Sequence, residues 1–205
     1  YVRKPVGTTT ADIHSYFARV QDDPSIQIVT NVQKLYVEQK IKGTENEGLP
    51  VLSVGAPFKG DTFVPKGEIA IKNVADLYLY DNTIAMLKVT GADIKEWLEM
   101  SAGQFNQIDP SKTEEQQLIN TKFPSYLYDV IDGVTYEFDV TQPAKYDANG
   151  NVINENASRV VNLQFEGKPI EDDQLFIVAT NNYRANGTTP GVRNATQIEF
   201  YPDEN

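Results

Sequence analysis

The stretch Ile84-Ala-Met-Leu-Lys-Val-Thr-Gly-Ala-Asp-Ile-Lys-Glu-Trp-Leu-Glu99 runs from a strand into a helix with no spacer. Residues 84–89 are a run of strand length, apolar except for Lys88 and ending in β-branched Val89. Thr90 then reads as an N-cap. Asp93 lies three residues on, and Ile94, Trp97 and Leu98 fall on one helical face. A strand feeding directly into an amphipathic helix sets the expectation of mixed α and β structure.

Upstream of this stretch, residues 69–77 predict a short helix leading to Tyr80, and residues 55–67 a loop rich in glycine and proline. Residues 49–54 predict a short buried strand. Asp23-Pro24 is an N-cap followed by proline at the first helical position. Ile28, Val29, Val32, Leu35 and Tyr36 continue that helix until Gly43. Before it, Thr10 precedes Ile13, Tyr16, Phe17 and Val20, whose spacing predicts another amphipathic helix with His14 on its surface. Downstream, residues 127–131 and 134–140 flank Asp132-Gly133, a hairpin signal. Residues 160–165 alternate, residues 175–179 form a continuous apolar run expected to be a central strand, and residues 198–201 predict a last strand. The chain closes on Pro202-Asp-Glu-Asn205, which resembles a helix start, so a cut terminal helix is expected. The fold class expected is α+β, with helices at the N-terminal end packed on a mixed, largely antiparallel sheet.

Bulk composition narrows the chemistry. At 205 residues, 40% hydrophobic and 23% charged, the chain fits one globular domain, residues 1–205. A net charge of −11 repels phosphate backbones and argues against polymeric nucleic acid as a partner. No apolar run approaches the ~18 residues of a membrane span. There is no cysteine, hence no disulfide, thiolate metal site or cysteine nucleophile. With one histidine, His14, a multi-histidine zinc site is impossible. Asp147-Ala-Asn-Gly-Asn151 places oxygen ligands alternately like a calcium loop, but its glycine is fourth instead of sixth and the twelfth position is Ser158. Asn149-Gly150 is a turn signal instead.

Several stretches carry a resemblance. Asp76-Leu-Tyr-Leu-Tyr-Asp-Asn-Thr83 and Lys88-Val-Thr-Gly-Ala-Asp-Ile-Lys-Glu-Trp-Leu-Glu99 resemble the C-terminal domain of 5′-nucleotidases. Ser101-Ala-Gly-Gln-Phe-Asn-Gln-Ile-Asp109 and Thr180-Asn-Asn-Tyr-Arg-Ala185 look like its 2′,3′-cyclic-nucleotide 2′-phosphodiesterase branch. Tyr1-Val-Arg-Lys-Pro5, Val20-Gln-Asp-Asp-Pro24, Tyr128-Asp-Val-Ile-Asp-Gly-Val134 and Asp139-Val-Thr-Gln-Pro-Ala144 extend it from end to end.

The resemblance implies the substrate-recognition domain of an exported, extracytoplasmic nucleotide phosphoesterase. Such an enzyme would act on 2′,3′-cyclic nucleotides and on 3′- or 5′-nucleotides. It implies a missing N-terminal metallophosphoesterase domain, in cis, that holds a divalent metal pair. No cofactor and no catalytic residue is expected in this chain. Two rings of the family's C-terminal domain sandwich the base, and by motif these fall on Tyr80 and Tyr183. Asn82 is implied to hydrogen-bond the base edge. Weaker candidates are Asn182 beside the second ring, Lys59 where simple 5′-nucleotidases carry an arginine, and Gln104 and Asn106 after the helix. The residues agree with this chemistry: two rings can clamp both faces of a base, each stack being worth roughly 1–3 kcal/mol. An asparagine offers a donor and an acceptor to one base edge. The rival expectation is a non-catalytic surface binding module that uses exposed tyrosines.

Overall fold

The computed structural model describes residues 1–202. Its elements in chain order are β1 (Pro5–Thr9), β2 (Ile13–His14), α1 (Pro24–Lys40), β3 (Val51–Gly55), β4 (Phe63–Val64), β5 (Gly67–Ala70), α2 (Ile71–Leu77), β6 (Ile84–Thr90) and α3 (Gly91–Ser101). They continue with β7 (Val130–Asp132), β8 (Thr135–Phe138), β9 (Val160–Phe165), β10 (Lys168–Pro169), β11 (Leu175–Asn181), α4 (Asn182–Ala185) and β12 (Gln197–Tyr201).

The central sheet has the strand order β12-β6-β11-β3-β7. Its β11–β3 pairing is parallel and its other three pairings are antiparallel. The two-residue period of a strand sends alternate side chains to opposite faces, and both faces are apolar here. Phe176 and Val178 of β11, with Leu52, Val54, Ala85, Leu87 and Val89, meet Ile94, Trp97 and Leu98 of α3 on one side. Ile177 and Ala179, with Val51 and Met86, meet Val37 of α1 and Ile41 on the other. The continuous apolar run at 175–179 is thus a strand buried on both faces. A second sheet, β10-β9-β8, closes over the α3 side, and Tyr136, Phe138, Leu163 and Phe165 pack on that core.

The helix signals hold where capping chemistry supported them. The Asp23 carboxylate accepts the Ser25 backbone N–H at 2.9 Å and opens α1. The Thr90 hydroxyl accepts the Asp93 N–H, and the Asp93 carboxylate accepts the Thr90 N–H at 2.9 Å, opening α3. The chain is therefore α+β with a mixed, largely antiparallel sheet, but α3, from mid-chain, covers one face, and a single helix comes from the N-terminal end.

The helix expected from Thr10 to Val20 does not form. Ile13 and His14 instead pair with Val64 and Phe63 as strand, and Ser15 exchanges hydrogen bonds with Thr62. Tyr16 and Phe17 are left exposed. A single short helix is marginal on its own, so cross-chain pairing that buries Ile13 and Val64 prevails over helical spacing. His14 accordingly stands on a strand, its ring stacked on Tyr16 at 5.1 Å.

The hairpin expected at Asp132-Gly133 is also absent. The strand before it, β7, pairs with β3, whereas β8 pairs with β9, so the turn is a corner between sheets. Gly133, at φ +100°, is needed there: a Cβ would lie 2.8 Å from Leu52. Residues 203–205, where the terminal helix is expected to begin, lie outside the described residues.

Candidate functional site

Antiparallel pairing of β6 with β11 aligns Ile84, the first residue of one, with Asn181, the last of the other. The segments flanking these ends, 78–83 and 182–185, therefore emerge at the same end of the sheet although they lie a hundred residues apart in sequence. One further step of ladder binds them: the Asn182 N–H donates to the Thr83 carbonyl at 2.9 Å, and the Asn182 side-chain oxygen accepts the Thr83 N–H at 3.0 Å. Because β3 runs parallel to β11, its exit, Ala56-Pro57-Phe58, reaches the same place.

These three exits enclose a cleft of about 280 Å³ whose lining includes Phe58, Tyr80, Asn82, Tyr126, Asn181 and Tyr183. Tyr80 and Tyr183 are 52% and 62% exposed, so their ring faces are open to a ligand. Phe58 stands edge-on to Tyr80 at 5.2 Å between centroids and to Tyr78 at 5.4 Å, which buttresses the first ring from behind. Tyr183 sits in the first turn of α4, a short helix capped by Asn181, whose side-chain oxygen accepts the Arg184 N–H at 2.9 Å.

Arg184 follows Tyr183 and turns inward. Its guanidinium donates to the Tyr126 carbonyl at 2.6 Å and pairs with the Asp129 carboxylate at 2.8 Å. The second Asp129 oxygen accepts the Trp97 indole N–H at 2.8 Å. Burial pushes the Asp129 carboxyl up from its ordinary range, while Arg184 and Trp97 pull it back. We take the pair as ionised, since both carboxylate oxygens are engaged by donors. It forms a rigid floor that joins α3, α4 and the 126–129 segment beneath the cleft.

The structure brings Tyr80, Asn82 and Tyr183 together in this cleft. It places Asn182 at the joint between the two ring-bearing segments, with its side chain committed to Thr83. Lys59 borders an adjoining pocket and is ion-paired with Asp76 and, at 3.8 Å, with Asp61. The hydrogen bond to Asp76 raises its pKa. Gln104 is buried in a reciprocal pair with Arg19, accepting from its guanidinium at 2.9 Å and donating to its carbonyl at 2.8 Å. Asn106 donates to the carbonyls of Gln117 and Ile119. Neither of these two residues lines the cleft.

Phe58, Tyr126 and the Arg184–Asp129 pair contribute to the cleft without being among the residues that the motifs single out. Arg184 lay inside the Asn-Asn-Tyr-Arg motif, where its adjacency to Tyr183 was the available signal. Tyr126 carried none.

Among the described residues, no group of three His, Cys, Asp or Glu side chains could hold a metal ion. The Asp147 carboxylate is spent within its own turn, accepting the backbone N–H groups of Asn149 and Asn151. No described helix is long and apolar enough to cross a membrane.

Fold and cleft together define an α+β domain that presents open aromatic faces and the amides of Asn82 and Asn181 at the end of its sheet. The family model described as the 5′-nucleotidase C-terminal domain matches residues 5–192, and the chain belongs to that family. It is 62% identical over 195 residues to the trifunctional nucleotide phosphoesterase protein YfkN of Bacillus subtilis, covering 91% of this chain and 13% of that protein. It is 48% identical to a 2′,3′-cyclic-nucleotide 2′-phosphodiesterase/3′-nucleotidase of Haemophilus influenzae, covering 100% of this chain and 33% of the relative. A 5′-nucleotidase precursor from Thermus thermophilus shares the fold with a TM-score of 0.69 at 18% identity, over 97% of this chain and 34% of that one. The chain thus spans about a third, or 13%, of the length of these relatives.

Proposed function

We propose that this domain recognises the nucleoside part of the substrate for an exported nucleotide phosphoesterase that hydrolyses 2′,3′-cyclic nucleotides and 3′- or 5′-nucleotides. The single observation that carries the reading is the meeting of Tyr80, Asn82 and Tyr183, from two distant motifs, in one open cleft. In this reading Tyr80 and Tyr183 stack the base and Asn82 contacts its edge, with the sugar and phosphate directed out of the cleft. Stacking on π faces tolerates every base, which suits an enzyme that takes several nucleotides.

A metal pair finds no ligand set among the described residues. In our reading it belongs to a metallophosphoesterase domain of the same polypeptide, and this chain's part is to bind and orient. The relatives named as phosphoesterases, about three and about eight times as long as the region they share with this chain (33% and 13% of their lengths), support that division.

The test is kinetic. In the full-length enzyme, Tyr183→Ala is expected to raise KM for 3′-AMP by roughly tenfold or more, the worth of one stacked ring, with kcat changed far less. That pattern marks lost ground-state binding. An unchanged KM in both Tyr183→Ala and Tyr80→Ala would leave the surface-module reading in its place.

A further inference from the structure

Tyr78 stands behind the cleft, just past the end of α2, and one hydroxyl oxygen serves both ring-bearing segments. The Asn82 side-chain amide donates to it at 3.0 Å and that of Asn181 at 3.1 Å. Asn82 follows Tyr80 by two residues, and Asn181 caps the helix that carries Tyr183. The sense of Asn181 is set independently. Its oxygen accepts the backbone N–H of Arg184, a group that can only donate, so its NH2 end has to face Tyr78. One lone pair of the tyrosine oxygen is thereby taken. The other receives the Asn82 NH2 group, which leaves the hydroxyl's own hydrogen directed away from both amides. Phe58, edge-on to Tyr78, holds the ring in place.

Gripped by its NH2 end, Asn82 is left with its carbonyl oxygen free of any described residue, and Asn82 lines the cleft. We infer that Tyr78 is a positioning residue that sets base preference: it presents the Asn82 carbonyl oxygen to the base and so favours amino-bearing cytosine and adenine over their oxo counterparts, uracil and hypoxanthine. This rests on reading the cleft as the base site. An exocyclic amino group donates to that oxygen, whereas a carbonyl at the same ring position sets two acceptors against each other. One neutral hydrogen bond corresponds to roughly fivefold in affinity.

The experiment compares kcat/KM of the full-length enzyme for 2′,3′-cyclic CMP and 2′,3′-cyclic UMP, which differ at the exocyclic group and its adjoining ring nitrogen. Bis(p-nitrophenyl) phosphate, which has no base, serves as the reference for folding and catalysis. The wild type is expected to favour cyclic CMP by roughly fivefold, and Tyr78→Phe to bring the ratio close to one, the loss falling on cyclic CMP. A second variant, Asn181→Asp, keeps an acceptor for Arg184 and draws the Tyr78 hydrogen to itself. The tyrosine oxygen then still accepts from Asn82, and the preference persists. A general loosening of the fold would lower all three substrates together without moving the ratio. The inference is overturned if the ratio is the same in wild type and Tyr78→Phe, if the wild type prefers cyclic UMP, or if Asn181→Asp abolishes the preference. Should Tyr183→Ala also leave KM unchanged for both nucleotides, the base-site reading itself fails; a raised KM with an unmoved ratio removes only the role of Tyr78.

Discussion

Tyr183 and Arg184 are neighbours with opposite fates: one ring is open to solvent and one guanidinium is buried against Asp129. The contrast explains how a four-residue helix can hold an exposed aromatic face steady. Removing the cation leaves a buried carboxylate without its charge partner, which typically costs about 3 kcal/mol or more. Arg184→Ala is therefore expected to lower the unfolding free energy by that amount, seen as a lower urea midpoint, and to weaken nucleotide binding through α4. Equal stability of variant and wild type in urea would deny the pair this role. A second prediction concerns acid. The Thr141 hydroxyl and backbone N–H both donate to Asp139 and hold its carboxyl below the ordinary range. The unfolded chain then takes up the proton first as pH falls, so this stabilisation is complete above about pH 4 and lost below it. Asp139→Asn should flatten the acid limb of a stability-against-pH curve; an unchanged limb would show that the turn contributes nothing.

At the scale of elements, α3 shows how local signals and tertiary demands meet. Thr90 and Asp93 satisfy one end of the helix, and the carbonyls of Gln174 and Asp172 take the N–H groups of Gly91 and Ala92 at 2.8 and 3.0 Å. Such closeness needs a glycine, since a Cβ on residue 91 would sit 2.1 Å from the Glu171 carbonyl oxygen. Gly91→Ala is expected to destabilise the domain by about 2 kcal/mol, seen as a Tm roughly 5 °C lower; an unshifted Tm would mean that the 171–174 loop yields freely. The capped helices α1 and α3 and the buried strands β6 and β11 were legible because their signals are local: a cap, a proline, an apolar run. The paired dipeptides β2 and β4 were not. Nothing within residues 10–20 states that residues 62–64 lie alongside, and the apolar spacing there mimics a helix. The corner at Asp132-Gly133 was misread for the same reason, because a turn signal says that the chain reverses or bends and not which sheet receives it. The pair Tyr80 and Tyr183 was legible through its motifs, whereas Tyr126 enters the cleft by tertiary placement alone.

The whole molecule is a sheet covered by α1 on one face and by α3 with the smaller sheet on the other, and the residues of the candidate site are gathered at one end. That end is where β6 begins and where β3 and β11 finish, a consequence of one antiparallel and one parallel pairing. The same rigid sandwich that buries Trp97 and Phe176 fixes the spacing of the exits that carry the rings. The cleft should therefore exist in this domain before any ligand arrives, and binding should require little rearrangement. The most direct measurement is an NMR titration of the chain with adenosine and with 3′-AMP, following the ring resonances of Tyr80 and Tyr183 against the other tyrosines. Saturable shifts are expected at both rings, with the resonances of buried Tyr146 unmoved. Millimolar ligand that leaves both rings unshifted would contradict the base-site reading.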